Sequence, residues 1–142
     1  MASVTERIHI PASPDDVWAT LREFGAIDEY VPPITSAELS GDGVGAERTL
    51  TLADGAQVVE RLDALDDDTR TLRYSIVDAP LPVENYEGRL SVTPTGDAAC
   101  EVTWASEFTV PDAPAEEIIA TFSELYVAGL AGLKERHTES AR

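Results

Sequence analysis

Of 142 residues one is cysteine, one is lysine and two are histidine, and each shortage removes a class of explanation. With Cys100 alone, no intrachain disulfide can form and no cysteine-based metal motif exists. His9 and His137 stand near opposite ends of the chain, so a zinc site has no ligand spacing to rest on, and neither metal nor cofactor is expected. The glycines form no phosphate-binding loop, because "GDGVG" falls between strand-like runs and does not open a helix. No Ser-His-Asp or Cys-His pattern accompanies Ser75 or Ser106. Nowhere do ~18 apolar residues run together, and the opening "MASVTERIHIPA" lacks the apolar centre of a signal sequence. A cytoplasmic protein with no membrane partner is the expectation.

Positive charge is scarce as well. Asp and Glu number 27 against 10 Lys and Arg, giving a formal charge of −17 and an isoelectric point near 4.2. Nucleic acids and anionic membranes are engaged by basic side chains meeting phosphate, so both are excluded as partners. The acid excess has two readings: adaptation to a salt-rich, halophilic cytoplasm in which screening removes self-repulsion, or a merely acidic mesophilic protein.

Hydrophobic residues are 43% of the chain and charged residues 26%, an ordinary globular balance that rules out wholesale disorder. A chain of this length reads as a single domain over residues 1–142 that buries about two thirds of its unfolded surface. "SVTERIHI" alternates with Val4, Ile8 and Ile10 on one face, a half-buried strand. "SPDDVWATLREFG" predicts a helix capped by Ser13, begun by Pro14 and stopped at Gly25, with Trp18 in the core. A further helical turn in "AIDEYV" ends at Pro32 and Pro33.

Strand patterns follow at residues 34–40, 46–52, 57–65, 70–77, 84–93 and 100–110, separated by turn-rich segments such as "ADG", "DDD" and "TPTGDA". The acidic run Asp66 to Asp68 lacks the ligand spacing of a calcium loop and reads as a solvated turn. Last, Ile118, Ile119, Phe122, Leu125, Tyr126, Leu130 and Leu133 recur at helical spacing. His137 falls at the frayed end of that helix, and His9 points outward from the first strand. The predicted fold class is α+β: a strongly curved seven-stranded antiparallel sheet around a long C-terminal helix, with two short helices between the first two strands. A curved sheet and one helix cannot meet everywhere, so an apolar cavity is expected between them.

Alternation supplies the inward set: Arg48, Leu50 and Leu52; Val58, Glu60 and Leu62; Leu72, Tyr74 and Ile76; Tyr86 and Gly88 onward; and Val102, Trp104, Ser106 and Phe108. Glu60 is the anomaly, because a lone carboxylate among apolar residues must be paired, hydrated or protonated. Arg48, on the preceding strand, is the expected partner. The pair either fixes the sheet or anchors a polar group of a ligand, and Glu60 is the one candidate acid or base. Tyr74, Tyr86 and Tyr126 present hydroxyls on apolar rings, while Trp104 and Phe108 either stack on a ligand or fill the space.

Two stretches carry a family resemblance: "IHIPASPDDVWATLREFGAIDEY" and "ERLDALDDDTRTLRYSIVDAPLPVENYEGRLSV". On these the chain resembles the START/Bet v 1-like (SRPBCC) superfamily of helix-grip proteins, and within it the polyketide cyclase/dehydratase and lipid-transport group. The second stretch is similar to the plant abscisic-acid receptors in its ERL segment, acidic turn, next-strand aromatic and Asn-Tyr pair. The resemblance implies a cavity lined by Glu60, Tyr74, Ile76, Tyr86, Phe122 and Tyr126, with "LADGAQ" and "DAPLPV", including Val83, at its entrance. It also departs from those receptors. Thr35 stands where they carry a hormone-gripping lysine, their gate loop is longer, and their His- and Arg-bearing latch becomes Leu81, Pro82 and Val83. Hormone sensing and phosphatase inhibition therefore do not carry over, which weakens a reading as a loop-based interaction module. The expected function is binding or carrying a small hydrophobic molecule such as a lipid, isoprenoid or polyketide; the alternative is a polyketide cyclase, aromatase or dehydratase using Glu60 and the pocket tyrosines.

Overall fold

The computed structural model describes residues 2–80, 82–111 and 114–139. Its elements run β1 (Ala2–Ile10), α1 (Pro14–Leu21), a 3-10 helix (Phe24–Glu29), β2 (Ile34–Ser40), β3 (Glu47–Leu52), β4 (Gln57–Asp66), β5 (Thr71–Asp78), β6 (Glu84–Gly96), β7 (Ala99–Thr109) and α2 (Ala115–Glu139). The strands form one antiparallel sheet in the order β1-β7-β6-β5-β4-β3-β2. From β2 to β7 each strand pairs with its sequence neighbour. β1 instead joins β7, because α1 and the 3-10 helix carry the chain across to the opposite edge before β2 begins. Register shifts interrupt the β2–β3, β4–β5 and β6–β7 ladders, and such bulges bend a sheet and increase its twist. Among the described residues no helix is long and apolar enough to cross a membrane.

The first helix begins as its sequence predicts. Ser13 Oγ accepts from the Asp16 amide at 3.1 Å, Pro14 opens the helix, and Asp15 and Asp16 face the positive end of its dipole. It ends at Leu21, short of the predicted Gly25, and Gly25 lies inside the 3-10 helix without a left-handed backbone. The tighter winding buries both Phe24 and Ile27. Glycine is required there for closeness, since a Cβ would stand 3.0 Å from that of Leu39.

The Asp66–Asp68 run is exposed at the β4–β5 turn, as expected, and contacts between distant segments add to it: Asp67 accepts from Trp18 Nε1 at 2.8 Å and Arg22 Nε at 2.9 Å, tying that turn to α1. Those bonds, Arg22's first, hold its carboxyl below the usual aspartate range. His137 is half-buried rather than frayed, with Nε2 2.9 Å from Thr20 Oγ1, so the end of α2 is fastened to α1. β6 also runs further than its turn-like sequence predicts, carrying Pro94 opposite Cys100 beside a bulge, where a missing N–H is tolerated.

The C-terminal helix buries Phe122, Tyr126, Leu130 and Leu133 against the sheet, packing along β1 and β7. Two glycines permit this approach. A Cβ on Gly129 would come 2.8 Å from the Trp104 ring, and one on Gly132 would come 2.0 Å from the Tyr30 carbonyl oxygen. Ser123 on the same helix donates to Glu6 of β1 at 2.7 Å, which accounts for a second inward-leaning carboxylate.

Candidate functional site

The β3–β4 hairpin turns at Ala53–Ala56, where Gly55 takes a left-handed φ of 89° and Leu52 N donates to Ala56 O at 2.8 Å. The resulting register sets Arg48 directly opposite Glu60. Arg48 Nε donates to Glu60 Oε1 at 2.8 Å and Nη1 to the Phe24 carbonyl at 2.8 Å. Nη2 stands 2.7 Å from Oε1 but off the hydrogen-bonding direction, so that contact is an ion pair without a second hydrogen bond. The guanidinium also lies 3.8 Å above the Phe24 ring centre and 5.2 Å from that of Tyr74. Arg48 and Glu60 are only 2% and 7% exposed, so their mutual attraction is weakly screened. Glu60 Oε2 meets no donor among the described residues.

Deeper in, the expected open cavity is filled. Trp104 Nε1 donates to Tyr74 OH at 2.8 Å, Tyr74 and Tyr86 hydroxyls lie 2.9 Å apart, Tyr86 bonds Tyr126, and Tyr126 OH donates to Ser106 Oγ at 2.8 Å. Trp104 stacks on Tyr126 with ring centres 4.2 Å apart, and Tyr86 lies between Phe108 and Phe122. Gly88 makes this possible: it pairs with Tyr74 across β5 and β6, and a Cβ there would fall 2.3 Å from the tyrosine ring. Asn85 takes a left-handed φ of 55° at the β6–β7 bulge, just before Tyr86 turns inward. Burial raises the phenol pKa of Tyr126 to about 12 and those of Tyr74 and Tyr86 well above the ordinary value, so the network is one of neutral hydroxyls.

What remains open is a groove of about 420 Å³ at one end of the helix–sheet contact. Leu50 and Leu52 of β3, Val58 and Glu60 of β4, and Ile76 of β5 form one wall; Phe122 and Leu125 of α2 form the other. Pro33, Ile34 and Ala53 close one side, while Asp54, Thr121 and Glu124 stand exposed at its mouth. Larger hollows of about 480 and 570 Å³ occur elsewhere, one beside Arg136 and one over Arg73 and Arg89 on the outer sheet face, and neither includes a residue of the Arg48–Glu60 pair.

Of the predicted site residues, Leu50, Leu52, Glu60, Ile76 and Phe122 come together on the groove walls. Arg48 stands behind Glu60, and Tyr74, Tyr86, Trp104, Ser106 and Tyr126 lie in the packed interior instead of on a wall because they satisfy one another's polar groups, with Phe108 packed on the Tyr86 and Phe122 rings beside them. Val83 packs half-buried against the core away from the groove, and Leu81 lies outside the described residues. Sequence reasoning set Ala53 and Asp54 in an entrance loop and Val58 on the inward face but passed over Pro33, Ile34, Thr121, Glu124 and Leu125 as site residues; of these Leu125 carried a signal, its place in the helical apolar stripe. Thr35 is exposed and donates to the Thr51 carbonyl at 3.0 Å, outside the groove. Among the described residues no cluster of three or more His, Cys, Asp or Glu could hold a metal ion.

Comparison with known proteins agrees with this architecture. The XoxI protein of Bacillus cereus superposes with a TM-score of 0.92 at 32% identity, covering 100% of this chain and 99% of that one. The Zhui aromatase/cyclase from a Streptomyces species superposes with a TM-score of 0.88 over 99% and 96% of the two chains, but at 19% identity it shows the fold alone. The abscisic acid receptor PYL2 of Arabidopsis thaliana is 37% identical over 94 residues, 63% of this chain and 48% of the receptor. The chain thus spans about half the length of the curated relatives it matches. A family model matches residues 1–138, and with helix, sheet and groove in the arrangement described, the chain belongs to the polyketide cyclase/dehydrase and lipid transport family.

Proposed function

We propose that the protein binds a small apolar molecule in the groove between β2–β5 and α2, with a hydrogen-bond donor of the ligand directed at Glu60. One observation carries this reading: a hollow of about 420 Å³ has almost wholly aliphatic and aromatic walls, and among the described residues the one polar side chain buried in them keeps a carboxylate oxygen without a protein donor. Apolar walls supply affinity and a sparse polar group sets orientation, the usual division of labour in small-molecule sites. Lipid, isoprenoid and polyketide fragments all match that chemistry, and family membership supports the same class.

The test is titration with a fluorescent apolar dye and native mass spectrometry of the purified protein, with Leu125→Trp as the blocking variant. Filling the groove from the helix side is expected to weaken dye binding by roughly 10-fold or more, the scale of a fully lost apolar contact of ~1.5–3 kcal/mol. An unchanged affinity in a variant whose circular dichroism is native would place the dye elsewhere and defeat the reading.

A second reading, cyclisation or dehydration of a polyketide-like chain, is favoured by the same free oxygen, since a general base must come within hydrogen-bond reach of its substrate's proton, directly or through one water. The packed tyrosines are not exposed to the groove, so Glu60 would act without them. Glu60→Gln turning over a polyketide substrate normally would remove this alternative.

A further inference from the structure

We propose that the groove selects, among apolar molecules, those bearing a protonated amine, with the ammonium held at the mouth and the apolar body inside. This rests on the groove being the binding site and adds the charge class of its ligand. Asp54 from the β3–β4 turn and Glu124 from α2 both line the mouth, Glu60 lies within, and no lysine, arginine or histidine is among the lining residues. Arg48, the cation paired with Glu60, bonds Glu60 through Nε and the Phe24 carbonyl through Nη1; its Nη2 keeps no hydrogen-bond partner among the described residues but is sealed within the protein, and Arg48 is not among the residues lining the groove. An acid entering the groove therefore meets carboxylates and no available guanidinium, a like-charge juxtaposition that opposes binding.

Depth decides where the cation sits. Beside Glu60 an ammonium would lie close to Arg48 and lose its water, whereas at the exposed mouth it keeps its hydration and meets only carboxylates. Glu60 Oε2 remains available for a neutral N–H or O–H donor farther along the ligand. The chain's formal charge of −17 adds a general attraction for cations. Exposed ion pairs contribute little individually, so two mouth carboxylates are expected to produce a preference of roughly 3- to 10-fold at low salt.

The experiment compares 4-phenylbutylamine, 4-phenyl-1-butanol and 4-phenylbutyrate, which share one apolar body, by calorimetric titration at neutral pH and low ionic strength. The wild-type chain is tested beside an Asp54→Asn/Glu124→Gln variant. The amine should bind tightest and the carboxylate weakest, and in the variant the amine's advantage over the alcohol should fall to within about 2-fold. Alcohol or carboxylate binding as tightly as the amine would overturn the charge selection while leaving the groove as the site. An amine advantage undiminished in the variant would overturn the assignment to the mouth carboxylates. Binding by none of the three would overturn the groove reading and this inference together.

Discussion

Replacing Arg48 by Met is the sharpest perturbation of the site. The guanidinium makes two charge-assisted hydrogen bonds, to Glu60 Oε1 and to the Phe24 carbonyl, each at 2.8 Å. Bonds to charged groups contribute ~1.5–3 kcal/mol each, and removing one member of a buried pair typically costs ~3–5 kcal/mol because the other is stranded. Met occupies much of the space of the arginine stem and keeps contact with the Phe24 and Tyr74 rings, which trims the loss. The expected destabilisation is therefore ~3–4 kcal/mol, a large fraction of the ~5–15 kcal/mol by which domains are stable. With a urea slope of ~2 kcal/mol/M, the unfolding midpoint should fall by ~1.5–2 M.

Glu60→Leu should cost about 2–4 kcal/mol by stranding Arg48, while the double variant Arg48→Met/Glu60→Leu should return to within about 1 kcal/mol of wild type, since an apolar replacement of a buried pair is often neutral. The coupling is read from urea unfolding of the four proteins, with unchanged slopes confirming that one transition is compared. Additive single effects, or an Arg48→Met protein as stable as the parent, would refute the account of the pair as a mutually dependent unit.

Gly132→Ala should destabilise by more than the usual gain of alanine in a helix, because its Cβ meets the Tyr30 carbonyl at 2.0 Å and the backbone must move; thermal unfolding against Ala128→Gly as a helix-propensity control checks it. All four tyrosines have raised pKa values, first through burial, with Tyr30 and Tyr126 near 12. Their neutral forms favour the fold fully below the unfolded value of about 10, and this contribution falls as pH rises from there toward the folded values. Ultraviolet titration should accordingly show at most about a tenth of the phenolate absorbance by pH 11 in the folded protein, and a signal approaching that of free tyrosine there would mean solvent reaches the rings. Screening of the −17 charge should raise the melting temperature from low to molar KCl; a flat or falling value argues against a protein suited to salt-rich surroundings.

The Arg48–Glu60 pair was legible because period-2 alternation put opposite charges on one face and a short turn aligned them, all within a dozen residues. Strand order was legible for the same reason, since every hairpin from β2 to β7 is local. The filling of the interior was not. Alternation says that Tyr74, Tyr86 and Trp104 point inward but not whether their polar atoms face a hollow or one another. That depends on Gly88, Gly129 and Gly132 admitting close approach between segments far apart in sequence. Groove residues such as Pro33, Thr121 and Glu124 lie on element ends and an exposed helix face, where periodicity is silent and only the docking of α2 brings them together. Gly25 misled because it resembles a helix stop, when it serves the contact with Leu39.

The hydroxyl relay begins and ends on one strand, leaving β7 at Trp104 and coming home at Ser106 after touching β5, β6 and α2. Tyr126 spends its one proton on Ser106, so it must accept from Tyr86, and Tyr86 in turn from Tyr74, which itself accepts from the indole. The circuit therefore has a single sense of travel, and prying the helix away from the sheet to admit a larger guest would snap it at Tyr126. On the proposed reading, a guest would be held to the porch by a knot tied from the inside.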